Sequence, residues 1–160
     1  MEISNATINT FGKQLRVRVC GILLENNKVL MACHRSITKK GDFWCPPGGG
    51  VQYGESLNQA LKREFQEETG LQVHVKKYLT LHEFLEPPLH AIELFFEVEK
   101  VSGILKTGED PEISSHQQIL KEVKFLSLPE IHSFPKETYH KILHHIQNFE
   151  DLFSLPAFLI

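Results

Sequence analysis

The sequence predicts an α/β fold. Three observations carry that reading: strand-like alternation on both sides of a central stretch, an amphipathic helical pattern over 57–69 inside that stretch, and a second helical spacing of apolar residues near the C-terminus. A chain of 160 residues with 41% hydrophobic content can bury a sizeable core. No internal repeat, low-complexity tract or linker divides it. One domain over 1–160 is expected, with its core at about 14–149 and an apolar tail at 150–160 that packs on its own domain or across a dimer.

Residues 1–13 are weakly patterned and allow one short strand. From Gln14 to Leu24, Val17 and Val19 alternate with Arg16 and Arg18. Glu25 to Lys28 is turn chemistry, and Val29 to Cys33 returns as a second strand, so a hairpin is predicted. A polar loop is expected from His34 to Cys45. In it Arg35, Lys39 and Lys40 are candidate phosphate contacts, Phe43 fits a base or the core, and Trp44 fits the core. Beyond the central stretch, Leu71 to Leu85 alternates well enough for one or two strands, and Glu86-Pro87-Pro88 enforces a turn. Ala91 to Val101 is the clearest strand, with Ile92, Leu94, Phe96 and Val98 on one face and Glu93, Phe95, Glu97 and Glu99 on the other. Val123 to Leu128 reads as the last strand. Tyr139, Ile142, Leu143, Ile146 and Phe149 then recur at helical spacing, predicting a closing helix over the sheet with His140, His144 and His145 on its solvated side.

The central stretch carries the chemistry. Ser56 with Gln59 reads as a capping box that starts a helix, and Gly70 followed by Leu71 as its stop. At about 100° per residue, Glu64, Glu67 and Glu68 continue the apolar stripe of Leu57, Ala60, Leu61 and Phe65. Lys62, Gln66 and Thr69 take the opposite side. Like charges turned toward an interior are costly unless a cation sits among them. A hard divalent ion with oxygen ligands answers that need, and Mg²⁺ keeps positions open for water and phosphate oxygens.

From Gly49, five residues lead to Glu55 and seven more to Arg63-Glu64-Phe65-Gln66-Glu67-Glu68-Thr69-Gly70-Leu71. This resembles the Nudix box at every defined position (G-x5-E-x7-R-E-U-x-E-E-x-G-U, with U a bulky apolar residue). The run Trp44 to Gly49 is similar to the segment that enters the box in that family. The resemblance implies an α/β/α sandwich around a mixed β-sheet, and a hydrolase that cleaves a nucleoside diphosphate linked to another moiety. It implies Mg²⁺, with Mn²⁺ as a substitute, held by Glu67, Glu68, the Gly48 carbonyl and Glu64, the last being either a further ligand or the general base. Arg63 and Glu55 become orienting residues for those carboxylates, and Arg35 and Gly49 substrate-side groups. Glu109, Asp110, Glu112 and Glu122 are further candidates for a base in the loop before the last strand, with His116 and Gln117 as alternative occupants of that place.

The resemblance leaves two substrate classes open. Pro87, 16 residues past the box, matches a proline common in ADP-ribose hydrolases, while the short segment between box and last strand resembles (deoxy)nucleoside triphosphate hydrolases. A catalytically weak nucleotide sensor on the same fold is the alternative function. A formal net charge of −3 offers no long-range attraction to nucleic acid or an anionic membrane. Three cysteines without C-x-x-C spacing, and no leader or long apolar run, predict free thiols in a cytoplasmic protein, and dimers are common in the family.

Overall fold

The computed structural model of the chain describes residues 5–38, 41–109 and 118–159. Two sheets form its frame. In the first, β1 (Leu15–Ile22) runs parallel to β7 (Leu89–Gly103), which places Arg18 directly beside Glu93. β5 (Gly48–Gly50) closes the other edge of β1. β6 (Leu71–Glu86) is antiparallel to β7, and β9 (Phe158–Leu159) lies parallel to β6, giving the mixed order β5-β1-β7-β6-β9. In the second sheet, β3 (Lys28–Thr38) pairs antiparallel with β2 (Leu24–Glu25), β4 (Gly41–Cys45) and β8 (Leu120–Leu126).

Alternation along β1 and β3 divides the core in two. Val19, Leu23 and Leu30 join Leu61, Phe65 and Val98 beneath helix α2 (Leu57–Thr69), while Cys20, Ile22, Met31 and Phe95 join Ile142, Leu143 and Leu152 on the opposite side. This opposite layer is built from α3 (Leu128–His132) and the segments after it. The α/β class and the mixed sheet are those the sequence predicts.

Several elements differ from expectation. Residues Asn5–Phe11 form a helix, α1, where a short strand was allowed. The hairpin turns at Asn26 and Asn27, both with positive φ, but joins β3 to the two-residue β2; β1 departs to pair with β7. The segment expected as a polar loop is instead the β3–β4 pairing, with Trp44 buried and stacked on Phe134 at 5.8 Å. Thr69 is buried, its hydroxyl donating to the Phe65 carbonyl, and Leu57 at the helix start is exposed.

The closing helix is also absent, and short 3-10 turns at Lys136–Thr138, Lys141–Leu143 and Phe149–Ser154 stand in its place. His140 lies in the core instead of on a solvated side, only 1% exposed. Its backbone is extended, and its ring both reaches Glu93 and accepts from the Ile142 N–H, so a new turn begins there. Asn148 interrupts the chain again by capping the next turn. Tyr139, Ile142, Leu143, Ile146 and Phe149 are buried all the same and join one core cluster. The apolar tail packs on its own domain: Tyr78 Oη and Thr80 Oγ1 donate to the carbonyls of Ala157 and Pro156, and Leu152 is fully buried.

Candidate active site

Local chemistry sets the position of α2. The Ser56 side chain accepts from the Gln59 N–H while Gln59 accepts from the Ser56 N–H, the reciprocal cap read from the sequence. Gly70 ends the helix in the left-handed region, at φ 72°, and its N–H donates to the Gln66 carbonyl. Ala60, Leu61 and Phe65 are fully buried, which fixes the helix rotation and turns its carboxylates along the same side. Glu68 is buried, and Glu64 and Glu67 are partly so.

Arg63 organises that side. Its Nε and Nη2 donate to the two oxygens of Glu55 at 2.7 and 2.9 Å, its Nη1 to Glu64 at 2.8 Å and Glu67 at 3.1 Å, and its Nη2 also to the Gly50 carbonyl at 3.0 Å. Helical spacing makes the Glu67 contact predictable. The bidentate contact with Glu55 crosses the turn before the helix and fixes the guanidinium plane. The Gln52 N–H in turn holds Glu55.

Glu64 lies against the backbone of Gly49, where any added side chain would overlap its carboxylate. Burial pushes the Glu64 carboxyl up to about 7, the negative charge of Glu68 adds to this, and the Arg63 contact opposes it. Glu68 accepts from the Gly48 N–H at 3.0 Å and lies 3.2 Å from His34 Nε2. His34 Nδ1 is 3.5 Å from the Cys45 thiol. Burial works against a charge on His34, but Cys45 and Glu68 outweigh it and raise the imidazole to about 10. His34 has no helical or strand periodicity to mark it as functional; only the fold brings it to Glu68.

The three helix carboxylates Glu64, Glu67 and Glu68 line one cleft. Phe43, Phe84, Leu89 and Ala91 form an apolar wall of this cleft, and Arg18 and Glu93 line it as well. Arg18 donates to Glu93 at 3.0 Å and to the Gly48 carbonyl at 3.2 Å, so one guanidinium spans the carbonyl before the helix and the carboxylate on β7. The sequence places Glu93 on the more polar face of its strand. Instead it is 2% exposed, because both faces of β7 are covered.

Glu93 also meets His140 Nε2 at 2.7 Å and His82 Nδ1 at 3.2 Å. Burial alone would raise its carboxyl, but His140, His82 and Arg18 hold it well below the usual carboxylate range. The His82, Glu93 and His140 ligand atoms lie within 4.8 Å of one another, a spacing compatible with a metal ion. The Ile142 N–H donates to His140 Nδ1, however, which leaves the ring proton on Nε2, facing Glu93. This cluster is therefore a buried carboxylate held by N–H donors.

The structure gathers Glu55, Arg63, Glu64, Glu67, Glu68, Gly48 and Gly49 into one site. Arg35 is exposed and is not among the residues that line the cleft; its N–H donates to the Ile119 carbonyl. Glu109 is exposed, and Glu122 pairs with Lys124 at 3.5 Å; neither lines the cleft. Lys39, Lys40, Asp110, Glu112, His116 and Gln117 lie outside the described residues. Pro87 sits in the turn between β6 and β7. Among the described residues, no helix is long and apolar enough to cross a membrane.

Comparison with known proteins agrees with this geometry. A family model described as NUDIX domain matches residues 13–145. The chain is 38% identical over 96 residues to an ADP-ribose pyrophosphatase of Methanocaldococcus jannaschii, covering 59% of this chain and 56% of that protein. It is 30% identical over 129 residues to an 8-oxo-dGTP diphosphatase of Buchnera aphidicola subsp. Schizaphis graminum, covering 81% of this chain and 91% of that one. The match thus spans little more than half of the first relative and most of the second. In fold, the chain resembles the solution structure of the E. coli ORF135 protein, with a TM-score of 0.65 at 22% identity over 90% of this chain and 95% of that one. The capped helix with its arginine-tied carboxylates thus lies inside the matched region, and the chain belongs to the NUDIX domain family.

Proposed function

We propose that this protein is a divalent-cation-dependent pyrophosphohydrolase that cleaves the diphosphate linkage of a nucleoside diphosphate derivative, either ADP-ribose-like or (d)NTP-like. The observation that carries the reading is the shared cleft: three carboxylates of one helix open into the same space as an aromatic wall. The names of two relatives, an ADP-ribose pyrophosphatase and an 8-oxo-dGTP diphosphatase, fit such a substrate.

The donor set suits Mg²⁺, with Mn²⁺ as a substitute. Glu64, Glu67 and Glu68 supply hard carboxylate oxygens, and Gly48, whose carbonyl accepts from Arg18, lines the same cleft as a further oxygen donor. The elevated Glu64 carboxyl reflects its burial first and the neighbouring charge of Glu68 second, which the Arg63 contact only partly offsets. When bound, the ion offsets the charge of the diphosphate and acidifies water. Arg63 orients the carboxylates through Glu55, a supporting contact of the kind that sets metal affinity. Arg63 engages only one oxygen of Glu64, so the other can serve as a ligand or accept a proton from the attacking water. Phe43 and Phe84 form an apolar wall against which a base can pack.

The test is hydrolysis of a panel containing ADP-ribose, 8-oxo-dGTP, CTP and ATP, with Mg²⁺, with Mn²⁺ and with EDTA. Cation-dependent release of nucleoside monophosphate from at least one member is expected. Tight binding of a member with no turnover of any would replace this reading with that of a nucleotide sensor.

A further inference from the structure

We propose that Glu93 selects the nucleobase of the substrate, by accepting a hydrogen bond from an amino group on the base and rejecting an oxo group at the same position. This rests on the reading of the cleft as a nucleotide site. Glu93 lines the same cleft as Glu64, Glu67 and Glu68, beside the apolar wall of Phe43, Phe84 and Leu89. Phe43 and Phe84 meet edge to face, their centroids 6.1 Å apart, and both line the cleft, apolar surface against which a base can pack.

The hydrogen bonds around Glu93 define what it can recognise. A carboxylate offers about four acceptor positions. Arg18, His82 and His140 occupy three of them; Arg18 and His140 are N–H donors, and facing an ionised carboxylate His82 is one as well. His140 cannot reverse its role, because its other nitrogen accepts from the Ile142 N–H. The carboxylate therefore remains ionised with one acceptor position left, and that position can receive only a donor. An amino group satisfies it. An oxo group would set its lone pairs against a buried negative charge.

Retention of this charge favours a recognition role. A buried ion pair gives a fold little that apolar packing would not, so its presence beside a cleft points to discrimination. A site built to hydrogen-bond a substrate group rejects analogues that lack it far more strongly than an apolar pocket rejects a change in size.

The test compares nucleotides that exchange this group, with the accompanying proton on the adjacent ring nitrogen, CTP with UTP and ATP with ITP. Two quantities are measured: kcat/KM with Mg²⁺, and equilibrium binding with Ca²⁺ present in place of Mg²⁺. In the wild type the amino member of at least one pair should be favoured by about tenfold or more, corresponding to about 1.4 kcal/mol. Glu93→Gln should bring that ratio close to one. A wild-type ratio near one in both pairs, by both measurements, overturns the proposal without recourse to any variant. A ratio that survives in folded Glu93→Gln overturns it as well. Discrimination in binding that is lost in Glu93→Gln, in a protein that hydrolyses no nucleotide, would uphold base selection and refute the hydrolase reading instead.

Discussion

Arg63 and Glu55 meet two-to-two: Nε lies 2.7 Å from one carboxylate oxygen and Nη2 lies 2.9 Å from the other. This fork fixes the plane in which Nη1 reaches Glu64 and Glu67. Lysine carries the charge but cannot form the fork. Arg63→Lys should therefore lower kcat by about 10- to 100-fold and weaken Mg²⁺ activation, with nucleotide affinity changed much less. Steady-state kinetics across a Mg²⁺ titration checks this, and unchanged kcat would refute the orienting role.

Glu67→Gln and Glu68→Gln should each lower turnover by about a thousandfold, roughly 4 kcal/mol of barrier, while far-UV circular dichroism stays that of the wild type. Glu68→Gln should also cost more stability than Glu67→Gln, because Glu68 is buried between the Gly48 N–H and His34. Near-wild-type rates in both variants would remove these carboxylates from the mechanism.

Cation and pH should act together on stability. The folded-state value of Glu64, about 7, lies above the ordinary 4.5. Between those values the native protein binds more protons than the unfolded chain, so the contribution of this group falls as pH rises. Mg²⁺ offsets the Glu64 charge and should raise Tm by several degrees more at pH 8 than at pH 5. Thermal melts with Mg²⁺ and with EDTA at both pH values measure it, and Glu64→Gln should reduce the difference.

Glu93 behaves in the opposite sense. Its carboxyl is held low, so its contribution is complete above the ordinary carboxylate range and is lost as pH falls toward the folded value. Glu93→Ala leaves Arg18, His82 and His140 without their acceptor and should cost about 3–5 kcal/mol in urea unfolding.

Gly49→Ala provides a steric test. The added methyl would overlap the Glu64 carboxylate, so the carboxylate or the strand must shift. Activity should fall by about 100-fold or more, since displacement of about 1 Å at a reacting group has that effect. Circular dichroism should show the sheets and α2 retained.

The helix and its acidic side were legible because both depend on local rules. Ser56, Gln59 and Gly70 act within one turn of the chain, and the register of Glu64, Glu67 and Glu68 with Phe65 follows from helix geometry. Contacts between distant residues were not legible. Glu93 and His140 are 47 positions apart, and their bond draws His140 inward and breaks the regular helix that the apolar spacing implies. His34 likewise acquires a role only when β3 carries it to Glu68. The β3–β4 pairing is not visible in the sequence because the residues from His34 to Cys45 read as a polar loop, while pairing fixes them in a sheet.

Arg18 holds the Gly48 carbonyl with one nitrogen and Glu93 with another. A change at Glu93 will accordingly be felt at Gly48, beside the acidic helix, and under the proposed role of Glu93 preference and turnover will move together. A library randomised at Glu93 should be screened for speed and preference together, with Arg18 varied as its companion.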